Sequence, residues 1–189
     1  MIIRRPKTRP DDLPGQIAGI ERVESMNILG VTLRYDLSIQ EHVDRLVCKS
    51  AQTMYALRLL RSQGLNGPNL WEVTRATLVS RLTYASQAWC GMITEGGRKQ
   101  LEAVLTKAIR QGFLPPDHPS FSEICEGADQ RLFRSILQNS DHVLHQRLPP
   151  VKPQSYSLRE RPHDRVIPQY KNPLFRNSFI IRMLYKDCY

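Results

Sequence analysis

A long stretch with helical periodicity, residues 38–63, is the feature that most constrains the fold of this chain. Its apolar residues recur every three or four positions, which places them on one face of an α-helix. Ser38 and Glu41 have the spacing of a capping box, so the helix is predicted to begin at Ser38, and Gly64 ends it. The apolar face consists of Ile39, Val43, Leu46, Val47, Met54 and Leu57.

Two more helices are predicted after the first. Pro68 suits the first turn of a helix, and the pattern continues to about Trp89 with apolar residues on two faces. A helix that is apolar on two sides packs between neighbours. A break at Gly96-Gly97 precedes a third helix over residues 98–111. Short connections between three helices predict a small antiparallel bundle.

A fourth helical region follows from Ser120, because Ser120 and Glu123 repeat the capping-box spacing. Leu148-Pro149-Pro150 stops it. Its apolar stripe consists of Leu132, Phe133, Ile136, Leu137, Val143 and Leu144. From Val151 onward the chain is rich in proline and basic residues, which predicts an extended or partly disordered tail whose last apolar run forms a short strand or helix.

The N-terminal part carries the β signals. Prolines and glycines make residues 6–19 a loop, and branched residues predict a strand over Asn27–Arg34, with a bulge or a close backbone approach at Gly30. Met1–Arg5 is a candidate partner strand.

The chain is therefore predicted to be mainly α: a small N-terminal β-hairpin element, a three-helix bundle, one further helix and a basic tail. The corresponding ranges are 1–35, 36–115, 116–150 and 151–189.

The charge balance indicates a polyanionic partner. Lys and Arg number 27 against 18 Asp and Glu, which gives a net charge of +9. Nucleic acid is the first candidate and an anionic membrane the second, with a generally basic protein as the plain alternative. The four cysteines are scattered with no paired spacing, which favours free thiols in an intracellular protein. We find neither a secretory leader nor an apolar run that could span a membrane.

Several basic residues are candidates for contacting a polyanionic partner. Lys99, Lys107 and Arg110 share the exposed face of the third helix, where cations could follow a phosphate backbone or simply be solvated. The tail offers Arg159, Arg161, Arg165, Arg176 and Arg182. The aromatic residues Trp71, Tyr84 and Trp89 lie on an apolar helix, so core packing is favoured over base stacking.

Catalytic and metal-binding patterns are weak. The adjacent pair Asp11-Asp12 lies between prolines rather than at a strand turn, so a solvated turn is expected instead of a two-metal site. His142, His145 and His163 match no recognised ligand set and are assigned to capping or packing. A phosphate-binding glycine loop and a nucleophile elbow are both missing from the sequence. We therefore predict no cofactor, no metal and no standalone enzyme activity.

Four strings, in this order, carry a family resemblance: NILGVTL (27–33), HVLHQRLPP (142–150), LRERPHDRVIP (158–168) and FRNSFIIRMLYKDCY (175–189). The chain resembles the C-terminal part of a non-LTR (LINE, jockey/CR1-like) retrotransposon reverse transcriptase. The resemblance implies that the segment with Leu29, Gly30 and Val31 corresponds to the primer grip, and that the following helices form a thumb. The palm with its metal-binding aspartates is missing, so the resemblance implies an RNA-directed DNA polymerase fragment that catalyses nothing alone.

The same resemblance implies the partners: RNA, an RNA–DNA hybrid or a DNA duplex held through its phosphates, and the rest of a reverse transcriptase polypeptide, in the nucleus or cytoplasm. Two alternatives stay open. One is a protein-interaction module derived from such an element. The other is the N-terminal module of an AlkB-like alkylation-repair dioxygenase–methyltransferase homologue, which residues 28–63 also resemble, although the chain has neither an oxygenase triad nor a methyl-donor loop.

Overall fold

The computed structural model describes residues 18–152, 163–169 and 173–186, together with Met1 and Gly15. The chain is mainly helical with a two-stranded antiparallel hairpin near its N-terminus, which confirms the predicted fold class. It forms two compact units. The first contains residues 1–85 and 92–121, and the second contains residues 86–91 and 122–189.

The hairpin joins β1 (Ser25–Ile28) to β2 (Val31–Arg34), so the prediction of one strand over Asn27–Arg34 is wrong. Leu29 and Gly30 form the two-residue turn between the strands, with φ of 48° and 88°. Positive φ at both positions is what a type I′ turn requires. The turn is further held by the side-chain oxygen of Asn27, which accepts a hydrogen bond of 2.9 Å from the backbone N–H of Gly30. The suggested partner strand, Met1–Arg5, falls mostly outside the described residues.

Helix α1 (Gln40–Ser62) begins two residues later than predicted, because the capping box does not form. The backbone N–H of Ser38 donates to the carboxylate of Asp36 at 2.9 Å. The Glu41 carboxylate, which a capping box would use for that N–H, instead accepts from Arg45 at 2.6 Å. The helix ends as predicted before Gly64, whose φ is 96°. The apolar face lies inward, with Ile39, Val43, Leu46, Met54 and Leu57 buried.

The second helix is shorter than predicted. Helix α2 (Gly67–Thr74) continues through a π-helical segment (Arg75–Val79) into α3 (Ser80–Thr83). The chain then breaks at Ala85, whose φ of 50° lies in the left-handed region. Hydroxyl groups on this stretch donate to backbone carbonyls four residues earlier, a competition with the helical ladder that bends helices. The donors are Thr74, Thr77, Ser80 and Thr83.

Helix α5 (Glu95–Arg110) completes the first unit, after the short α4 (Ser86–Trp89) and a 3₁₀ turn (Cys90–Met92). It starts earlier than predicted, because the hydroxyl of Thr94 accepts from the N–H of Gly97 at 3.1 Å and caps the helix. The two glycines therefore belong to its first turn. The buried residues of the first unit include Leu70, Leu78, Leu82, Leu101, Leu105, Phe113 and Leu114.

Helix α6 (Phe121–Gln138) begins immediately after Ser120 and ends sooner than its predicted apolar stripe. Beyond Gln138 the chain turns into a short 3₁₀ helix (His145–Arg147). Val143 is 83% exposed, so its assignment to the buried stripe is wrong.

The C-terminal segment is part of the second unit's core, which corrects the expectation of an extended tail for the residues described there. Helices α7 (Pro173–Arg176) and α8 (Phe179–Tyr185) follow residues 163–169. Ile181, Met183 and Leu184 of α8 pack with Phe133 of α6 in one buried cluster. Earlier in the segment, Val151 and Arg165 form an antiparallel bridge. None of the helices in the described part of the chain is long and apolar enough to cross a membrane.

Candidate nucleic-acid interface

Helices α1 and α5 pack side by side and run parallel. At one end, the Gln40 side-chain amide donates to the Gln100 side-chain oxygen at 3.1 Å. At the other end, Arg61 donates from Nη1 to the backbone carbonyl of Gln111 at 2.6 Å. The final turns of both helices therefore lie at the same end of the first unit.

Four cations gather at this end: Arg58, Arg61, Lys107 and Arg110, which we call the basic end. Lys107 and Arg110 are exposed and were predicted from the sequence. Arg58 and Arg61 are exposed on the last turns of α1 and were missed. Their membership depends on α1 and α5 packing side by side, a contact between two helices that the periodicity of either helix alone does not show.

Arg61 is held in a fixed position. Besides its bond to Gln111, its guanidinium lies 5.0 Å from the centre of the Phe113 ring, within the range of a cation–π contact. Arg58 approaches the Gln111 side-chain oxygen at 3.4 Å. Arg61 therefore also satisfies a backbone carbonyl at the C-terminus of α5, where cations are favoured by the helix dipole.

The basic end is formed by sequence segments without carboxylates. Residues 45–71 contain four Lys or Arg and no Asp or Glu, and residues 103–116 contain Lys107 and Arg110 and no Asp or Glu. The Glu102 carboxylate, which lies just before the second segment, accepts a hydrogen bond of 3.0 Å from the backbone N–H of Phe121. These two segments therefore contribute only positive charge to the end of the helix pair, with Glu72 and Asp117 as the next carboxylates along the chain.

Lys99 differs from the other predicted cations of α5. It lies two turns before Lys107 and pairs with Glu95 at 3.6 Å, with both side chains more than 70% exposed. An exposed pair of this kind is weak, but it lowers the net charge around Lys99. The structure thus places Lys107 and Arg110 at the basic end and Lys99 beside a carboxylate.

The primer-grip interpretation expected Leu29, Gly30 and Val31 to lie in one strand, but Leu29 and Gly30 form the hairpin turn and only Val31 belongs to a strand, β2. Leu29 is 87% exposed at the tip of the hairpin, and Val31 is buried beneath it. The close approach predicted at Gly30 is made within the protein: an added Cβ would lie 3.3 Å from Cε1 of Tyr84. Tyr84 is itself 56% exposed, so of the three aromatic candidates it is the one that lies at a surface. Trp89 is fully buried and Trp71 is partly buried.

Two arginines of the C-terminal segment, Arg165 and Arg182, have partners within the protein, whereas Arg176 is exposed. Arg165 donates to the carbonyl of Pro149 at 3.2 Å and lies 3.8 Å from the Asp164 carboxylate. Its side chain is only 17% exposed. Arg182 pairs with Asp129 at 2.8 Å. Arg159 and Arg161 lie outside the described residues, as does Asp11-Asp12.

The three histidines make hydrogen bonds within the second unit. His142 Nδ1 accepts from the backbone N–H of Leu144 at 3.1 Å, and His145 Nδ1 lies 2.7 Å from the carbonyl of Ile136. His163 is buried, with Nε2 at 2.9 Å from the carbonyl of Leu184. In residues 18–152, 163–169 and 173–186, no three His, Cys, Asp or Glu side chains are grouped so as to hold a metal ion.

The comparisons give no family assignment: no protein-family model, curated protein or solved structure matches this chain.

Proposed function

We propose that the first unit grips a nucleic-acid duplex through its phosphates, as a thumb does, and that the chain is the C-terminal part of a non-LTR retrotransposon reverse transcriptase. The basic end is the observation that supports this most strongly. Four cations lie at the common end of α1 and α5, in segments that contain no carboxylate. Cations arranged in this way contact phosphate oxygens and position a protein on nucleic acid without reading its sequence.

The proposed partner is RNA, an RNA–DNA hybrid or a DNA duplex, inside the cell in the nucleus or cytoplasm. Binding through phosphates displaces condensed counterions, so affinity should fall steeply as salt rises. Polymerisation would belong to the rest of the polypeptide, and this chain alone would bind without catalysing a reaction.

The test is the salt dependence of duplex binding, measured by fluorescence anisotropy with the full chain between about 50 and 200 mM salt. The plot of log affinity against log salt should become less steep in the variant Lys107→Gln/Arg110→Gln, by up to about 0.9 in slope per lost contact on B-form DNA. The matched control is Arg45→Gln/Arg75→Gln, which removes the same charge from two residues that pair with Glu41 and Glu72.

The proposal fails if the parent protein shows a flat salt dependence, or if the two double variants lower the slope equally. The second result would mean that only net charge matters. Lys99→Gln should change the slope less than Lys107→Gln does, because Glu95 already offsets the Lys99 charge.

A protein-interaction module is a second candidate, and one observation favours it. Tyr55 and Leu59, one turn apart on α1, are 63% and 51% exposed. Large apolar side chains that share an exposed helix face often mark a protein contact. Salt-insensitive capture of one protein partner, lost in Tyr55→Ser/Leu59→Ser, would support this candidate over the first.

A further inference from the structure

Two cysteines that are 35 positions apart in the sequence meet inside the second unit. Cys90 Sγ and Cys125 Sγ lie 3.2 Å apart, and the two residues are only 2% and 3% exposed. Cys90 follows α4, and Cys125 lies in the second turn of α6. Nothing in the sequence spacing of the two cysteines indicates that the fold brings them together.

The distance between the sulfurs decides what this pair can do. A disulfide bond is about 2.05 Å long, so the sulfurs need to approach by only about 1.2 Å. The Cys90 thiol donates a hydrogen bond to Cys125 Sγ across this distance, which holds the two sulfurs closer than ordinary van der Waals contact would.

We propose that Cys90 and Cys125 are a reversible redox site that forms an intramolecular disulfide when the protein meets a peroxide. One thiolate attacks the peroxide, the O–O bond breaks, and the sulfur becomes a sulfenic acid while the peroxide is reduced to an alcohol or water. The second thiol then attacks that sulfur, the S–S bond forms, and water leaves. In total, two thiols lose two electrons and two protons, and one peroxide accepts them.

The site would act on the connection between α4 and α6. Residues 86–91 belong to the second unit although the chain on both sides of them belongs to the first. A Cys90–Cys125 bond would fasten this segment covalently to α6. Because a cross-link restricts the unfolded chain, the oxidised form should melt at a higher temperature than the reduced form.

Burial sets the rate of the reaction. With both residues at most 3% exposed, the peroxide reaches them only when the second unit opens locally. Oxidation should therefore be slow in the native protein and faster under mildly destabilising conditions. Cys48, which is exposed, should react with thiol reagents first.

The test uses the full chain with Cys48→Ser and Cys188→Ser, so that only the proposed pair remains. After treatment with hydrogen peroxide, the intact monomer should lose about 2 Da, the mass of two hydrogens, and peptide mapping should join Cys90 to Cys125. The melting temperature should rise, and dithiothreitol should reverse the mass change and the rise together. Controls carrying Cys90→Ala or Cys125→Ala in the same background should show neither change.

Three results would overturn the proposal: two titratable thiols remaining after prolonged oxidation, cross-links between chains in place of the internal bond, or an oxidised monomer that melts at the same temperature as the reduced one. The comparison does not depend on nucleic-acid binding, so its outcome is separate from that of the salt experiment.

Discussion

Arg182 reaches across the second unit to Asp129, with Nη1 2.8 Å from the carboxylate oxygen Oδ2. Asp129 is 3% exposed, and its other carboxylate oxygen, Oδ1, has no hydrogen-bond partner. Burial raises the pKa of Asp129, and the neighbouring Arg182 and then Lys186 lower it in part. An arginine that the sequence offered only as a candidate for RNA binding thus serves as the counter-ion of a buried carboxylate in the core of its own unit.

Arg182→Met should destabilise the protein strongly, because it leaves the Asp129 charge buried without a partner. Loss of one member of a buried pair typically costs about 3–5 kcal/mol. The double variant Asp129→Leu/Arg182→Met should recover most of that loss in urea denaturation. Lys186→Met removes the more exposed pair with Glu126, at 3.3 Å, and should cost about 0–1 kcal/mol. Equal losses for Arg182→Met and Lys186→Met would contradict this account.

Stability should fall as the pH drops below about 6.5, because of His42. This residue is 6% exposed, and its Nδ1 accepts from the N–H of Thr32 at 3.4 Å. Burial, and then the charge of Arg45, lower the pKa of His42 from its ordinary 6.5. The unfolded chain therefore binds a proton at His42 more readily than the folded chain does. The stabilisation that comes from keeping His42 neutral is fully present above pH 6.5, and it is lost as the pH falls through the folded-state pKa.

The measurement for His42 is the melting temperature at about pH 7.5 and about pH 5.5, above and below the ordinary histidine pKa. His42→Asn keeps a hydrogen-bond acceptor but cannot titrate. The melting temperature of this variant should therefore fall less between about pH 7.5 and about pH 5.5 than that of the parent protein. An identical decrease in both proteins would assign the effect to other groups.

Gly91→Ala should destabilise the second unit by about 1–3 kcal/mol, the usual cost of forcing extra volume into a packed site. A Cβ at Gly91 would overlap the backbone carbonyl oxygen of Asn177, which cannot move aside as a flexible side chain can. Gly96→Ala is the control, because its nearest neighbour would be the hydroxyl of Thr94 at 3.9 Å. If the two variants unfold at the same urea concentration, the packing at Gly91 is looser than described.

Gly30→Ala should cost about 1–2 kcal/mol from the left-handed backbone alone. Gly64→Ala provides the comparison, since Gly64 also has a positive φ but has open space where a Cβ would point. The Gly30 variant should lose more stability, because its Cβ would meet the Tyr84 ring at 3.3 Å. This additional loss of stability, relative to Gly64→Ala, should vanish in a Tyr84→Ala background. If it persists there, the ring contact is not its cause.

Helical periodicity predicted α1, α5 and α6 because each has one apolar face that the core buries. The hairpin was read as one strand, since Leu29 is an unusual residue at a left-handed turn position and carries no turn signal. The break at Ala85 was missed for the same reason: alanine is a strong helix former, and its left-handed φ depends on tertiary contacts.

The candidate site was predicted in part. Lys107 and Arg110 follow from periodicity on a single helix. Arg58 and Arg61 required knowledge that the ends of α1 and α5 lie side by side, although the absence of carboxylates from residues 45–71 was a signal that could have drawn attention to them. The Asp129–Arg182 pair and the Cys90–Cys125 approach join residues far apart in the chain, which no local pattern reports.

The placement of residues 86–91 in the second unit has a consequence for synthesis of the protein. Trp89, fully buried in the finished fold, leaves the ribosome about 90 residues before Leu184, which at about 5–20 residues per second means a delay on the order of 5–20 s. Once residues 92–121 have also emerged, the first unit has all of its residues, while the segment that emerged in their midst still awaits residues 122–189 of its own unit. The nascent chain therefore carries an apolar segment between two already translated halves of a domain, and a chaperone that recognises such segments would find it there until translation reaches α8.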